Sequence, residues 1–294
     1  HQNNVRYRNF ILERIDLLRK NDILTFWTDA RNYHEVSKRV RQFEPDVVIH
    51  LAAIAHANKA NKSPFQTFDH SLRTLENTLD ASLYPSVKQV IYFSSSMVYG
   101  EFGGKEVTEE TPLKPKGIYG ALKVSGELLV KAYSEVKGTN YTIIRPSALY
   151  GPRCVSRRVI QIFIENALAG KDLTIQGDGE EKLDFTYIDD LVQGVCSMIG
   201  NEKAYNETFN ITYGDSRSIK ETSSVIIKTL VKHFKDYRGF TKYEKRDKLM
   251  PIRGTLSVDK AKSLLGYKPE YPIEKGIKKY LEWYQNEKSI NIDD

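Results

Sequence analysis

Three short runs, DVVIHL at 46–51, QVIYFS at 89–94 and YTIIR at 141–145, are apolar along nearly their whole length and rich in β-branched residues. A strand that alternates apolar and polar side chains leaves one face in water, whereas a strand apolar throughout has to be covered on both faces. The stretches at 33–42, 64–83 and 117–136 have the spacing of amphipathic helices, and a fourth β-branched run lies at 23–27. Strands at 23–27, 46–51, 89–94 and 141–145 with helices between them predict an α/β fold with a doubly wound parallel sheet. After Gly151-Pro152 the pattern changes to longer helices and loops rich in glycine and charge, such as QGDGEEKLD at 176–184. Residues 1–148 therefore read as one domain and 149–294 as a smaller α/β substrate domain, with about 185–200 packing back on the first.

Composition excludes several classes. The 294 residues are 40% apolar, enough for one large core or a core plus an appended unit. The longest apolar run, VVIHLAAIA at 47–55, falls well short of the roughly 20 residues a membrane span needs. Cys154 and Cys196 have no metal-like spacing, so neither a disulfide scaffold nor a metal site is expected, and a reducing cytoplasm fits best. The net charge of +6 comes from lysines and arginines interspersed with acids, as in KDYRGFTKYEKRDK at 235–248, which describes a solvated surface better than a nucleic-acid stripe.

Chemistry concentrates in one stretch. Tyr119 and Lys123 stand four apart in IYGALKVSGELLVKAY and so share a helix face. A phenol is a poor base at neutral pH, but a neighbouring ammonium favours the phenolate. That spacing alone is one that chance supplies in many helices. The serines of FSSSMVYG leave a buried strand 24 residues earlier, at the sheet edge where α/β folds bind ligands. By themselves they would serve equally to satisfy turn backbone groups. HLAA at 50–53, RPSALYGPR at 145–153 and DFTYIDD at 184–190 complete an ordered set.

With these motifs, from about Trp27 to Trp283, the chain resembles the extended short-chain dehydrogenase/reductase family, in its nucleotide-sugar epimerase and dehydratase branch. The resemblance implies an NAD-binding Rossmann domain and a C-terminal domain for a nucleoside diphosphate sugar. It implies that Tyr119 exchanges the proton of the sugar 4-hydroxyl, while Lys123 binds the nicotinamide ribose and lowers the Tyr119 pKa. The catalytic hydroxyl falls on Ser95, or on Ser96 when counted from Phe93. The implied cofactor contacts are Asp29, Ala30, Leu51, Ala52, Ala53, Ser71, Ser94, Tyr119, Lys123 and Pro146; for Asp29 a helix N-cap is an equal reading. The implied substrate contacts are Ser95, Ser96, Met97, Tyr119, Ser147, Ala148 and Arg253, the last as a fork-like grip on the diphosphate.

Several positions depart from the family. Met97 stands where the dehydratases place an acid, and a thioether abstracts no proton, which turns the expectation from elimination toward 4-epimerisation. Ser71 and Ala148 replace family asparagines, and Leu183, beside Lys182, replaces a family arginine. Gly254 leaves room for an N-acetyl group near the sugar C2. The family's opening strand, Gly-x-x-Gly-x-x-Gly turn and helix are absent from the sequence, so roughly 30 to 40 residues of the family pattern are expected to be lacking and NAD to be held poorly. The acid that selects NAD over NADP belongs to that segment, so NADP stays open. An NADPH-dependent 4-keto-sugar reductase or epimerase/reductase is the alternative within the fold, and a non-catalytic regulatory or RNA-binding member the alternative outside catalysis. The helices at 64–83 and 117–136 imply a homodimer by the same resemblance.

Overall fold

The computed structural model describes residues 7–233, 240–246 and 250–286, so parts of the mixed-charge run at 235–248 lie outside the described residues. Helices α1 (Arg8–Lys20) and α2 (Tyr33–Phe43) precede strand β1 (Val47–His50). Two short helices, α3 (Ala57–Lys62) and α4 (Pro64–Phe68), run through a π-helical turn (Asp69–Arg73) into α5 (Thr74–Ala81). Strand β2 (Gln89–Phe93), helix α6 (Gly117–Lys137) and strand β3 (Asn140–Pro146) follow. The remainder comprises β4 (Leu149–Tyr150), α7 (Val159–Leu168), β5 (Leu173–Gln176), β6 (Lys182–Asp184), β7 (Thr186–Tyr187), α8 (Ile188–Cys196), β8 (Glu207–Ile211), β9 (Ser216–Ser218), α9 (Ile219–His233), β10 (Thr241–Glu244), α10 (Asp259–Leu265) and α11 (Ile273–Asn286).

The main sheet is parallel and four-stranded, in the order β1-β2-β3-β8, with Val48 opposite Val90 and Tyr92 opposite Ile143. Successive side chains of a strand point to opposite faces. Val90, Tyr92 and Ile143 accordingly pack with Leu75, Leu79 and Val130 of α5 and α6, while Ile91 and Ile144 pack with Leu191, Phe209 and Tyr267 on the other side. Apolar content on both faces of β2 and β3 is thus what a sheet between two helical layers requires. The fold is Rossmann-like α/β, and α8 lies against the sheet layer through Leu191.

A second core gathers Tyr150, Phe163, Ile164, Ile175, Tyr187, Ile226, Ile277 and Tyr280. Tyr7 and Phe10 of the chain start pack into it, Phe10 edge-on to Trp283 at 5.0 Å. Among the described residues no helix is long and apolar enough to cross a membrane.

Three expectations need correction. Residues 23–27 form no strand: the segment is extended, with Leu24 72% and Trp27 92% exposed. A strand is made by a neighbour that completes its hydrogen-bond ladder, and β1, the sheet's edge, pairs only with β2 among the described residues. Asp29 is not a helix N-cap; Asn32 caps α2 by accepting from the Glu35 amide at 3.3 Å. The helix expected at 64–83 is interrupted by the π-helical turn and ends at Ala81.

Candidate active site

The site is built where the carboxyl end of β2 meets α6. Gly126 lets the two approach: a Cβ there would stand 2.2 Å from the Tyr92 hydroxyl. Gly120 does the same one turn after the helix start, where a Cβ would lie 2.8 Å from the Met97 carbonyl oxygen. The helix and the strand end are thereby close enough for three consecutive strand-end residues to engage three helix residues spaced one turn apart. The Phe93 carbonyl accepts from Lys123 Nζ at 2.5 Å, Ser94 Oγ donates to Glu127 Oε1 at 2.5 Å, and the Ser95 hydroxyl acts on the Tyr119 phenol.

Ser95 also accepts from the Met97 amide at 3.2 Å, capping the 3-10 turn Ser96–Val98. Ser96 Oγ donates to Ser147 Oγ at 3.3 Å, which commits its hydroxyl to the neighbouring strand end. Of the two candidate hydroxyls, Ser95 is therefore the one against the phenol. Met97 is buried in a small cluster with Ala60 and Tyr119.

Burial pushes the Tyr119 phenol above its ordinary value, against which Arg158, the hydrogen bond with Ser95 and Arg253 pull it down. The cations that act on Tyr119 are thus two arginines of the second half. Lys123 is turned instead toward the Phe93 carbonyl and the Tyr92 ring, 5.0 Å from its centroid. Burial brings the Lys123 ammonium down to about 8, with Glu127 opposing that shift. Glu127 in turn holds Arg145 through two bonds, from Nε at 2.9 Å and from Nη2 at 2.7 Å. Burial also lowers His50 to about 4, helped by Lys123; its Nδ1 meets Thr78 Oγ1 at 3.0 Å and its Nε2 is buried without a partner.

Arg253 is half-buried, with its Nε enclosed and without a partner among the described residues, and burial brings it down to about 10. Such a fork, already dehydrated and missing one acceptor, suits an anionic oxygen. Its segment is fixed from below by Asp184, which accepts from the Leu256 amide at 3.2 Å, from Thr212 Oγ1 at 3.0 Å and from the Gly214 amide at 3.2 Å. A Cβ at Gly254 would make only ordinary contacts, 3.7 Å to Phe102 and 3.9 Å to the Lys105 carbonyl, so packing does not demand a glycine there.

The remaining sequence candidates lie around this centre. Leu51 and Ala52 are exposed and Ala53 half-buried just past β1, and the Ala52 carbonyl accepts from Thr74 Oγ1 at 2.9 Å. Ser71 sits half-buried on the π-helical turn, Pro146 ends β3, and Ser147 follows it. Ala148 faces the second core and its carbonyl accepts from the Thr186 amide at 3.2 Å. The Ser94 hydroxyl donates to Glu127. The Asp29 carboxylate is gripped by Arg31, with Nη2 at 2.6 Å, and held near 2 by it; the neighbouring Ala30 carbonyl accepts from Asn77 at 3.0 Å.

The sequence reading missed Arg158, which opens α7, donates to the Ala55 carbonyl and acts electrostatically on both Tyr119 and His56. The consecutive Arg157 and Arg158 just beyond the Gly-Pro turn were the available signal. Glu127 and Arg145 were also missed, since a pair 18 residues apart on different elements leaves no local pattern.

Known proteins agree with this architecture. The family described as NAD dependent epimerase/dehydratase matches residues 12–212, more than half of the chain. A protein of Bacillus subtilis named as an uncharacterized UDP-glucose epimerase is 32% identical over 233 residues, covering 79% of this chain and 72% of that protein. A putative UDP-glucose 4-epimerase of Methanocaldococcus jannaschii is 31% identical, over 86% of this chain and 81% of its own. The UDP-glucuronic acid 4-epimerase of Bacillus cereus, solved with UDP-glucuronic acid and NAD, superposes with a TM-score of 0.82 at 27% identity, covering 92% of this chain and 85% of that one. Together with the serine, tyrosine and lysine gathered at the end of β2, the match over residues 12–212 shows that the chain belongs to the NAD-dependent epimerase/dehydratase family.

Proposed function

We propose that the protein is an NAD-dependent nucleotide-sugar 4-epimerase that works through a transient 4-keto sugar. The observation that carries this reading is the buried Tyr119 phenol, beside Ser95, under the charge of two arginines and packed against the apolar Met97. A phenol so placed takes the 4-hydroxyl proton, and Met97 leaves the sugar's C5 hydrogen without a base. Ser95 holds the C4 oxygen through both half-reactions, lowering the barrier by positioning and by electrostatic support.

The residues present fit the nicotinamide end of the cofactor. The exposed Leu51 and Ala52, with Ala53 and Pro146, border the strand ends beside Lys123, which would take the ribose; Ser71 and the Asp29-Ala30 segment lie farther out. When bound, NAD supplies the acceptor that takes hydride from C4 and the donor that returns it. Tyr119 gives the proton back to the C4 oxygen as the opposite face of the keto sugar is reduced, so atoms and electrons balance over the cycle. Arg253, with its dehydrated fork, holds the diphosphate. The relatives' names place UDP-glucose and UDP-glucuronate among the sugars to try first.

We read the protein as a homodimer as well. Phe65, Phe68 and Leu128 are exposed on α4 and α6, Phe65 at 85%, and an apolar helix face of this kind gains from a second copy. Light scattering at two concentrations tests this.

The reaction is tested with UDP, GDP, CDP and dTDP sugars deuterated at C4, in the presence of NAD. The expected result is the C4 epimer with deuterium retained at C4 and no net consumption of cofactor. Product formed in step with oxidation of added NADPH would replace this reading by a 4-keto-sugar reductase, and binding without turnover would replace it by a non-catalytic role.

A further inference from the structure

We propose that Glu127 is the positioning residue of Lys123: a buried carboxylate, locked by Arg145 and Ser94, that keeps the lysine ammonium seated and charged at the end of β2. This rests on reading Tyr119 and Lys123 as the working pair. Lys123 and Glu127 are four apart on α6, hence one above the other on its buried face, 7% and 1% exposed. They engage consecutive residues of the same strand end, Phe93 through its carbonyl and Ser94 through its hydroxyl.

The carboxylate cannot turn away. Arg145 holds both of its oxygens, and Arg145 is itself pinned by the Tyr99 hydroxyl at 2.9 Å and the Glu109 carbonyl at 3.0 Å. Tyr99 continues the chain to Asn210 at 2.7 Å, so the clamp is anchored in β8 as well as β3. Lys123 has no carboxylate within salt-bridge distance among the described residues. A buried ammonium without a carboxylate in contact depends on the nearest countercharge to stay protonated.

Glu127 is that countercharge, and the other groups facing Lys123 do not replace it. His50 on β1 is neutral at working pH, Tyr92 on β2 and Tyr119 on α6 are phenols raised by burial, and Arg145 on β3 is a cation. On the helices packed against α6, Lys59, Lys62, Asp69, His70, Arg73, Glu76 and Asp80 are all partly or wholly exposed, so water screens them.

The test is the titration of Lys123 itself, followed by NMR in protein with isotopically labelled lysine side chains and assigned by the signal missing in Lys123→Met. Glu127→Gln removes the charge, and Glu127→Gln with Arg145→Gln removes it without leaving a buried cation unpaired. In Glu127→Gln the Lys123 midpoint is expected to fall by about one pH unit, the size typical of losing a nearby opposite charge, and in the double variant by less, because loss of the Arg145 cation offsets part of the fall. The alkaline limb of kcat should fall with it, while KM for the nucleotide sugar changes little. Glu127→Asp, which draws the charge back by one methylene, should give a smaller fall and serves where neither neutral variant folds. An unchanged Lys123 midpoint in whichever variant folds, even with a lowered melting temperature, overturns the proposal and leaves Glu127 a purely structural residue. Because this readout needs no turnover, a midpoint that moves as expected in a protein without epimerase activity would sink the functional reading and leave the clamp standing.

Discussion

Two regions of the first sheet differ sharply, the end of the inner strand β2 and the β1 edge. At the carboxyl end of β2 the polar groups are tied across to α6: the Phe93 carbonyl, the Ser94 hydroxyl, the Ser95 hydroxyl and the Arg145–Glu127 pair leave α6 little freedom. Along the β1 edge, by contrast, Leu24, Trp27, Ile49 and Leu51 face water and the 23–28 segment pairs with no strand. The β2 end is held rigidly, while the β1 edge is bare. The comparison teaches that helix–strand contacts alone can preorganise a cluster of polar side chains.

The largest effect expected from this contrast is on stability. Ile144→Ala, in a fully buried strand between two helical layers, should cost about 2–5 kcal/mol by denaturant unfolding. A loss near zero would mean that the sheet is less tightly covered than described. The seam under Arg253 comes next. Burial raises Asp184 to about 7, so between about pH 4 and 7 the unfolded chain has released a proton that the folded chain still holds. Asp184 therefore contributes most below pH 4, and its contribution is lost as pH rises through 7. The difference in unfolding free energy between the wild type and Asp184→Asn should slope by a few kcal/mol over that window, and a flat difference would contradict the burial argument.

Smaller is the effect of Arg253→Ala, which should raise KM for the nucleotide sugar by about tenfold to a hundredfold with less change in kcat, as expected for loss of a charged hydrogen bond of about 1.5–3 kcal/mol. An unchanged KM would move the diphosphate away from this arginine. The smallest belongs to the bare edge: Trp27→Ser should change stability by no more than about 0.5 kcal/mol, because the side chain is already in water. A large loss there would show that the edge is covered in solution and would dissolve the contrast.

How much could be read in the sequence follows from the range of the interactions involved. DVVIHL, QVIYFS and YTIIR declared buried parallel strands because coverage on both faces is written into each run. Tyr119, Lys123 and Ser95 were legible because helix periodicity and a strand end are local signals. Residues 23–27 misled, since β-branched composition announces a preference while a strand needs a neighbour. Arg158 and the Glu127–Arg145 pair were not legible because their meaning lies in contacts between elements distant in sequence. The expected influence of Lys123 on the phenol was an argument from spacing; in three dimensions Arg158 and Arg253 are the cations acting on Tyr119.

The most direct test of the central claim is the turnover of Tyr119→Phe with C4-deuterated nucleotide sugar and NAD. The account predicts a folded protein that still binds the nucleotide sugar and whose kcat falls by about 10²–10⁴, the share of a general acid–base group. Undiminished epimerisation by that variant would contradict it.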